Sequence, residues 1–185
     1  TFGYNPTIEA RPFDRAKAKA LLAEAGYAKG FDTKINTMSG RYLSDVDIAN
    51  AAAGMMTEVG ARTTVNVLEG GVWAQLDRAR DQGPIYQVGW FSVGDADFNT
   101  VWYTDDSKRN YWSNAEYNKL WQEARATLDE AARLKTYNRM MEIMHEEMPS
   151  VFLFGLPRIS GRSDKVVGWQ PSRDSLLRLN KVSVK

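Results

Sequence analysis

Residues 31–91, FDTKINTMSGRYLSDVDIANAAAGMMTEVGARTTVNVLEGGVWAQLDRARDQGPIYQVGWF, decide the fold. Phe31 to Met38 alternates, with Phe31, Thr33, Ile35 and Thr37 on one face and Asp32, Lys34 and Asn36 on the other, the period of a strand. Ser39-Gly40 breaks it. Val46, Ala49, Ala52, Ala53 and Met56 then recur at helical spacing, predicting a helix from Asp45 to Val59 that Gly60 stops. Arg62 to Leu68 alternates again, Gly70-Gly71 turns the chain into a short helix over Val72–Arg80, and Ile85–Phe91 reads as a third strand. Strand–helix–strand–helix–strand at this spacing predicts parallel strands joined by right-handed crossovers, half of a doubly wound sheet.

Upstream, Asp14 stands at an N-cap position before a helix that Gly26 ends, and Tyr4 to Pro12 reads as an extended linker. Downstream, periodicity stops from Ser92 to Asn114, and unpatterned stretches of this length tend to be functional. Asn114 and Asp129 cap the two arms of a helical hairpin, Ala115–Leu128 and Glu130–Met148, closed by Pro149. Val151–Leu156 reads as a buried strand. The tail, Arg158–Lys185, is irregular, with strand candidates at Lys165–Gly168 and Leu176–Val184.

The composition narrows the function. The net charge is +1, from 24 basic and 23 acidic residues, which argues against a nucleic-acid partner. No cysteine is present, so disulfides, thiolate metal sites and cysteine nucleophiles are excluded. No apolar run approaches the ~18 residues of a membrane span. Thr1 to Pro12 lacks the pattern of a signal peptide, and a chain opening on a linker is expected to be a piece of something longer. With one histidine, His145, and no phosphate loop, no catalytic constellation assembles, and neither a cofactor nor a metal is expected. Asp95, Asp97, Asn99 and Asp106 have calcium-loop spacing, but Thr100 stands where the loop needs glycine and Asp106 where it needs glutamate.

Several motifs in order resemble one family. Asp14 to Tyr27 with Gly30-Phe31, Gly40-Arg41-Tyr42 with Asp47 and Ala49, Glu58-Val59-Gly60, Trp73, Gly89-Trp90 with Gly94-Asp95, Asn110 to Asn114, and Glu147-Met148-Pro149 are similar to the second lobe of family 5 solute-binding proteins, the peptide, nickel and glutathione receptors of ABC importers. The resemblance implies a periplasmic-binding-protein-like α/β lobe, mainly parallel sheet with flanking helices plus a C-terminal helical hairpin. It further implies a small-molecule or peptide ligand, an N-terminal lobe of the same protein, an ABC permease as partner, and a periplasmic or extracytoplasmic location, often with a lipid anchor. On this basis residues 1–13 form a linker or hinge, 14–160 the ligand-binding lobe, and 161–185 a return segment towards the other lobe. Two positions depart from the peptide-binding pattern: Val93 stands where an aspartate commonly pairs with a peptide's amino terminus, and Ala96 where a proline follows the signature aspartate.

Ligands of open α/β sheets bind beyond the carboxyl ends of the strands, which places the candidate contacts on the loops after the first and third strands. Arg41 suits a ligand carboxylate, or else is a solvated surface residue. Tyr42 is a cleft wall or a core residue. Trp90, with Phe91 and Ser92 beside it, offers stacking area or plain packing. Asp95 and Asp97 accept from a ligand amine or cap a turn. Two other readings remain open on sequence alone: a sensory or interaction domain of the same fold, and a hydrolase using the acidic loop.

Overall fold

The computed structural model describes residues 1–91, 94–156, 159–172 and 176–185. The chain divides into two compact units, Glu9–Gly89 and Thr1–Ile8 with Trp90–Lys185.

In the first unit, Asp14 caps α1 (Arg15–Glu24) by accepting from the Lys17 N–H at 2.9 Å. The elements β1 (Phe31–Met38), α2 (Asp45–Glu58), β2 (Ala61–Leu68), α3 (Gly70–Ala79) and β3 (Ile85–Tyr86) follow. The sheet is parallel in the order β2-β1-β3, with β1 and β2 paired along their whole length from Phe31↔Ala61 to Met38↔Leu68. The chain therefore steps from β1 to one side and then across to the other. Right-handed crossovers put α2 and α3 on opposite faces of such a sheet.

The side chains agree. Ile35 packs with Ala49 and Ala53 of α2, whose small side chains let the helix approach closely. On the opposite face, Asn36 donates to the Gln82 carbonyl just past α3 at 2.6 Å. Central position explains why β1 alternates in burial over its first half and is buried on both faces from Ile35 to Met38.

Two expectations are corrected here. The third strand pairs only at Ile35↔Ile85 and Asn36↔Tyr86, with one further bond from the Gln87 N–H to the Asn36 carbonyl at 2.9 Å; it does not reach Phe91, because in this register its partner β1 ends at Met38. Gly70 and Gly71 form the first turn of α3 rather than a turn before it, because the Glu69 carboxylate accepts from the Gly71 N–H.

The second unit is built on α5 (Ala115–Ala126) and α6 (Glu130–Glu147), preceded by a one-turn α4 (Asp97–Thr100) and a 3-10 turn, Val101–Tyr103. Asn114 and Asp129 cap the two long helices as the sequence predicts, accepting from Tyr117 N–H at 2.8 Å and Ala132 N–H at 2.7 Å. Tyr117, Trp121 and Ala124 of α5 meet Tyr137, Met140, Ile143 and Met144 of α6 in a closed core. Burial of each large apolar side chain there contributes about 1.5–3 kcal/mol.

The first residues of the chain join this unit. Phe2 donates its N–H to the Gly94 carbonyl at 2.8 Å and meets the Tyr137 ring edge-on at 6.0 Å. Gly3 has φ +90°, and a Cβ there would lie 2.4 Å from Ala96 Cβ.

Val151–Leu156 does not form the buried strand expected: it is irregular and exposed throughout. An apolar run specifies burial only where another surface covers it, and the described residues supply none. In the tail, β4 (Val166–Val167) and β5 (Ser183–Val184) pair antiparallel over two residues each. Both strand candidates thus shorten. Leu176, Leu177 and Leu179 are exposed, and Gly168 crosses so close to the Lys181 carbonyl that a Cβ would meet it at 2.0 Å.

Candidate functional site

The carboxyl edge of the β2-β1-β3 sheet is where strand order reverses, between β1 and β3, the position at which open α/β sheets bind ligands. The loop leaving β1 carries Gly40, Arg41 and Tyr42. Asp45 shapes it. This carboxylate is 4% exposed, and its Oδ2 accepts the N–H groups of Arg41 at 2.8 Å and Tyr42 at 3.0 Å. Its Oδ1 accepts those of Val46 at 2.9 Å and Gly40 at 3.3 Å. Burial works to raise the Asp45 pKa, but the bonds from Tyr42, Arg41, Gly40 and Val46 outweigh it and hold the carboxyl below its ordinary range. The aspartate at the entry of α2 therefore organises the strand-end loop as well as beginning the helix.

On that frame the Tyr42 ring lies against Gly89, and its hydroxyl donates to the Gly89 carbonyl at 3.2 Å. A Cβ on Gly89 would sit 2.7 Å from Tyr42 Cε1, so the absence of a side chain is what lets the ring lie there. Tyr42 thus ties the loop after β1 to the chain leaving β3. Arg41 is exposed, with its guanidinium 5.7 Å from the centre of its neighbour's ring. Among the described residues no carboxylate pairs with it. Deeper in the edge, Thr37 donates to Gln87 Oε1 at 2.9 Å and Asn66 donates to Asn36 Oδ1 at 2.9 Å.

The remaining sequence candidates belong to the other unit. Trp90 stacks on Trp102 at 4.7 Å and 12°, and the Arg109 guanidinium lies 5.3 Å from Trp102 and 5.8 Å from Trp90. Phe91 is exposed and tilts against Phe98 at 5.2 Å; Ser92 lies outside the described residues, as does Val93.

Asp95 is engaged at both oxygens: Arg133 grips it with two bonds, at 2.7 and 2.9 Å, and it accepts the Asp97 N–H at 2.9 Å. It caps the turn, one of the two roles its sequence position allows, and adds an ion pair. Asp97 faces Arg125 at 3.7 Å.

With Asp95 held by Arg133, the calcium-loop spacing does not produce a chelating loop. Among the described residues no three His, Cys, Asp or Glu side chains gather to hold a metal. Asp105 is likewise spent on the hairpin, accepting from Ser113 at 3.0 Å and from Asn118 at 2.8 Å.

Sequence reading missed the organising role of Asp45 and the partner of Asp95. The first had a local signal, an acidic residue at a helix start just past a Gly-Arg-Tyr loop. The second had none, since Arg133 lies 38 residues away.

The three-stranded parallel sheet of the first unit, with its switch point at the carboxyl edge, and the helical hairpin of the second are features of a periplasmic-binding-protein-like α/β fold. Comparison with known proteins agrees. The model of bacterial extracellular solute-binding proteins, family 5 middle, matches residues 1–132, and the chain belongs to that family. The dipeptide-binding protein of Escherichia coli (strain K12) is 30% identical over 168 residues, 82% of this chain and 30% of that protein. The glutathione-binding protein GsiB of the same strain is 23% identical over 181 residues, 91% of this chain and 35% of that protein. The crystal structure of Haemophilus influenzae OppA complexed with RPPGFSPFR shares the fold, with a TM-score of 0.77 and 22% identity over 92% of this chain and 34% of that one. The chain spans about a third of the length of these relatives.

Proposed function

We propose that this chain is one lobe of a longer, two-lobed receptor that binds a peptide or similar small solute outside the cytoplasmic membrane and hands it to an ABC permease. In this reading it binds without catalysing. Residues 161–185 lead back towards the other lobe, which would cover the exposed Val151–Phe154 and Leu176–Leu179. Arg41 carries the proposal. Its guanidinium stands at the sheet's switch point without a carboxylate partner among the described residues, on a backbone fixed by Asp45. A forked donor in that position suits the carboxylate of a peptide-like solute, with Tyr42 as wall. The names of relatives, dipeptide-binding and glutathione-binding, lend support, since both solutes carry free carboxylates.

Isothermal calorimetry on the intact protein with dialanine and with dialanine amide tests it. Binding of the free acid, weakened at least tenfold both by amidation and by Arg41→Ala, is expected from loss of a charge-assisted pair. Equal binding of acid and amide would remove Arg41 from the site.

A further inference from the structure

We infer that Asp45 is a positioning residue for solute binding, acting through Arg41; the inference rests on the carboxylate-binding role proposed for Arg41. Three consecutive backbone N–H groups, those of Gly40, Arg41 and Tyr42, converge on one buried carboxylate. A surface loop of this kind, with glycine at φ +78° and exposed side chains at Ser39 and Arg41, would otherwise sample many conformations.

The carboxylate removes that freedom. It draws the loop back onto the first turn of α2, and the fourth bond, from Val46, fixes the carboxylate itself. Ser44, between the loop and the helix, lies in the left-handed region at φ 54°, uncommon for a serine. The Arg41 Cα is thereby held at the sheet edge before a solute arrives. The entropy of ordering the loop is then spent in folding instead of in binding. Asp45 itself is 4% exposed and all its bonds go to backbone, so it touches no solute.

This assigns a role that differs from helix capping alone. A capping residue stabilises the fold whatever Arg41 is. A positioning residue contributes to affinity only while Arg41 is there to be positioned.

The test is a double-mutant cycle on the intact protein with Asp45→Asn, Asp45→Ser and Arg41→Ala. Dialanine affinity is read by calorimetry, and amide hydrogen exchange of residues 39–46 by mass spectrometry. Asn and Ser each keep an acceptor and differ in reach, and circular dichroism selects the folded variants before binding is read. In the Arg41 background each Asp45 variant should speed exchange across 39–46 and weaken dialanine binding about tenfold, the scale of losing charge-assisted bonds. In the Arg41→Ala background the same substitutions should change affinity less than twofold.

Equal penalties in both backgrounds, or unchanged exchange at 39–46, overturn the inference while leaving the role of Arg41 standing. Wild-type protein that binds dialanine no better than Arg41→Ala overturns the proposed role of Arg41, and this inference with it.

Discussion

Replacing Arg133 with alanine removes from the second unit a side chain that joins α6 to Asp95, to Phe2 and to the end of α5. The guanidinium holds both oxygens of Asp95, donates to the Tyr137 hydroxyl at 2.9 Å, and reaches the Ala124 carbonyl near the end of α5 at 3.1 Å. It also lies over the rings of Phe2 and Tyr137, 5.1 and 5.0 Å from their centres. Each bond to the charged carboxylate is worth about 1.5–3 kcal/mol in mutational series. The Asp95 side chain is 40% exposed and that of Arg133 23%, so water recovers part of the loss. After that discount the variant should lose about 2–3 kcal/mol. At about 2–4 °C per kcal/mol for a chain of this size, calorimetric unfolding should fall by roughly 4–12 °C.

The pH dependence gives a second readout of the same pair. Burial tends to raise the Asp95 pKa, but the Arg133 bonds and the Asp97 N–H outweigh it, so the folded pKa lies below the unfolded value of about 3.9. A depressed carboxyl contributes stability above the unfolded pKa and loses it as pH falls through the folded one. The gap between wild type and Arg133→Ala should therefore hold steady from about pH 7 to 5 and narrow below about pH 4, leaving the part that the Tyr137 and Ala124 bonds supply. A gap under about 1 °C at neutral pH, or one that persists unchanged in acid, refutes the account of this pair.

Three further substitutions probe other joints. Asn36→Leu should cost about 2–3 kcal/mol in urea unfolding, because it leaves the Gln82 carbonyl and the Asn66 amide without their partner in the sheet; a neutral result would mean water takes its place. Gly89→Ala should destabilise by about 1–3 kcal/mol through its collision with Tyr42, and the double variant with Tyr42→Ala should recover most of that. Gly3→Ala should lower the unfolding temperature of the hairpin unit, since its Cβ meets Ala96 at positive φ; no change would detach Thr1–Ile8 from that unit.

Local features carried most of the fold. Alternation over 31–38 and small residues at 49, 52 and 53 specify a strand and a closely packed helix. Asp14, Asn114 and Asp129 mark helix starts through bonds that span only three residues. Features that depend on distant partners were not legible. The third strand stops early because its partner β1 ends at Met38, and Asp95 is neutralised by an arginine on another helix. Val151–Leu156 looked like a strand because its composition is apolar, but burial also needs a covering surface that no local pattern encodes. At the carboxyl edge of the sheet, the strand-end rule singled out Arg41 and Tyr42 as candidates, whereas Asp45 looked like an ordinary helix start.

Native mass spectrometry of the intact protein, purified without added solute from its own source, reads the role of Arg41 without a chosen probe. A small solute with a free carboxylate is expected bound one to one to the wild-type protein and lost from the Arg41→Ala variant. A carboxylate-free solute, or one retained equally by wild type and Arg41→Ala, would contradict it.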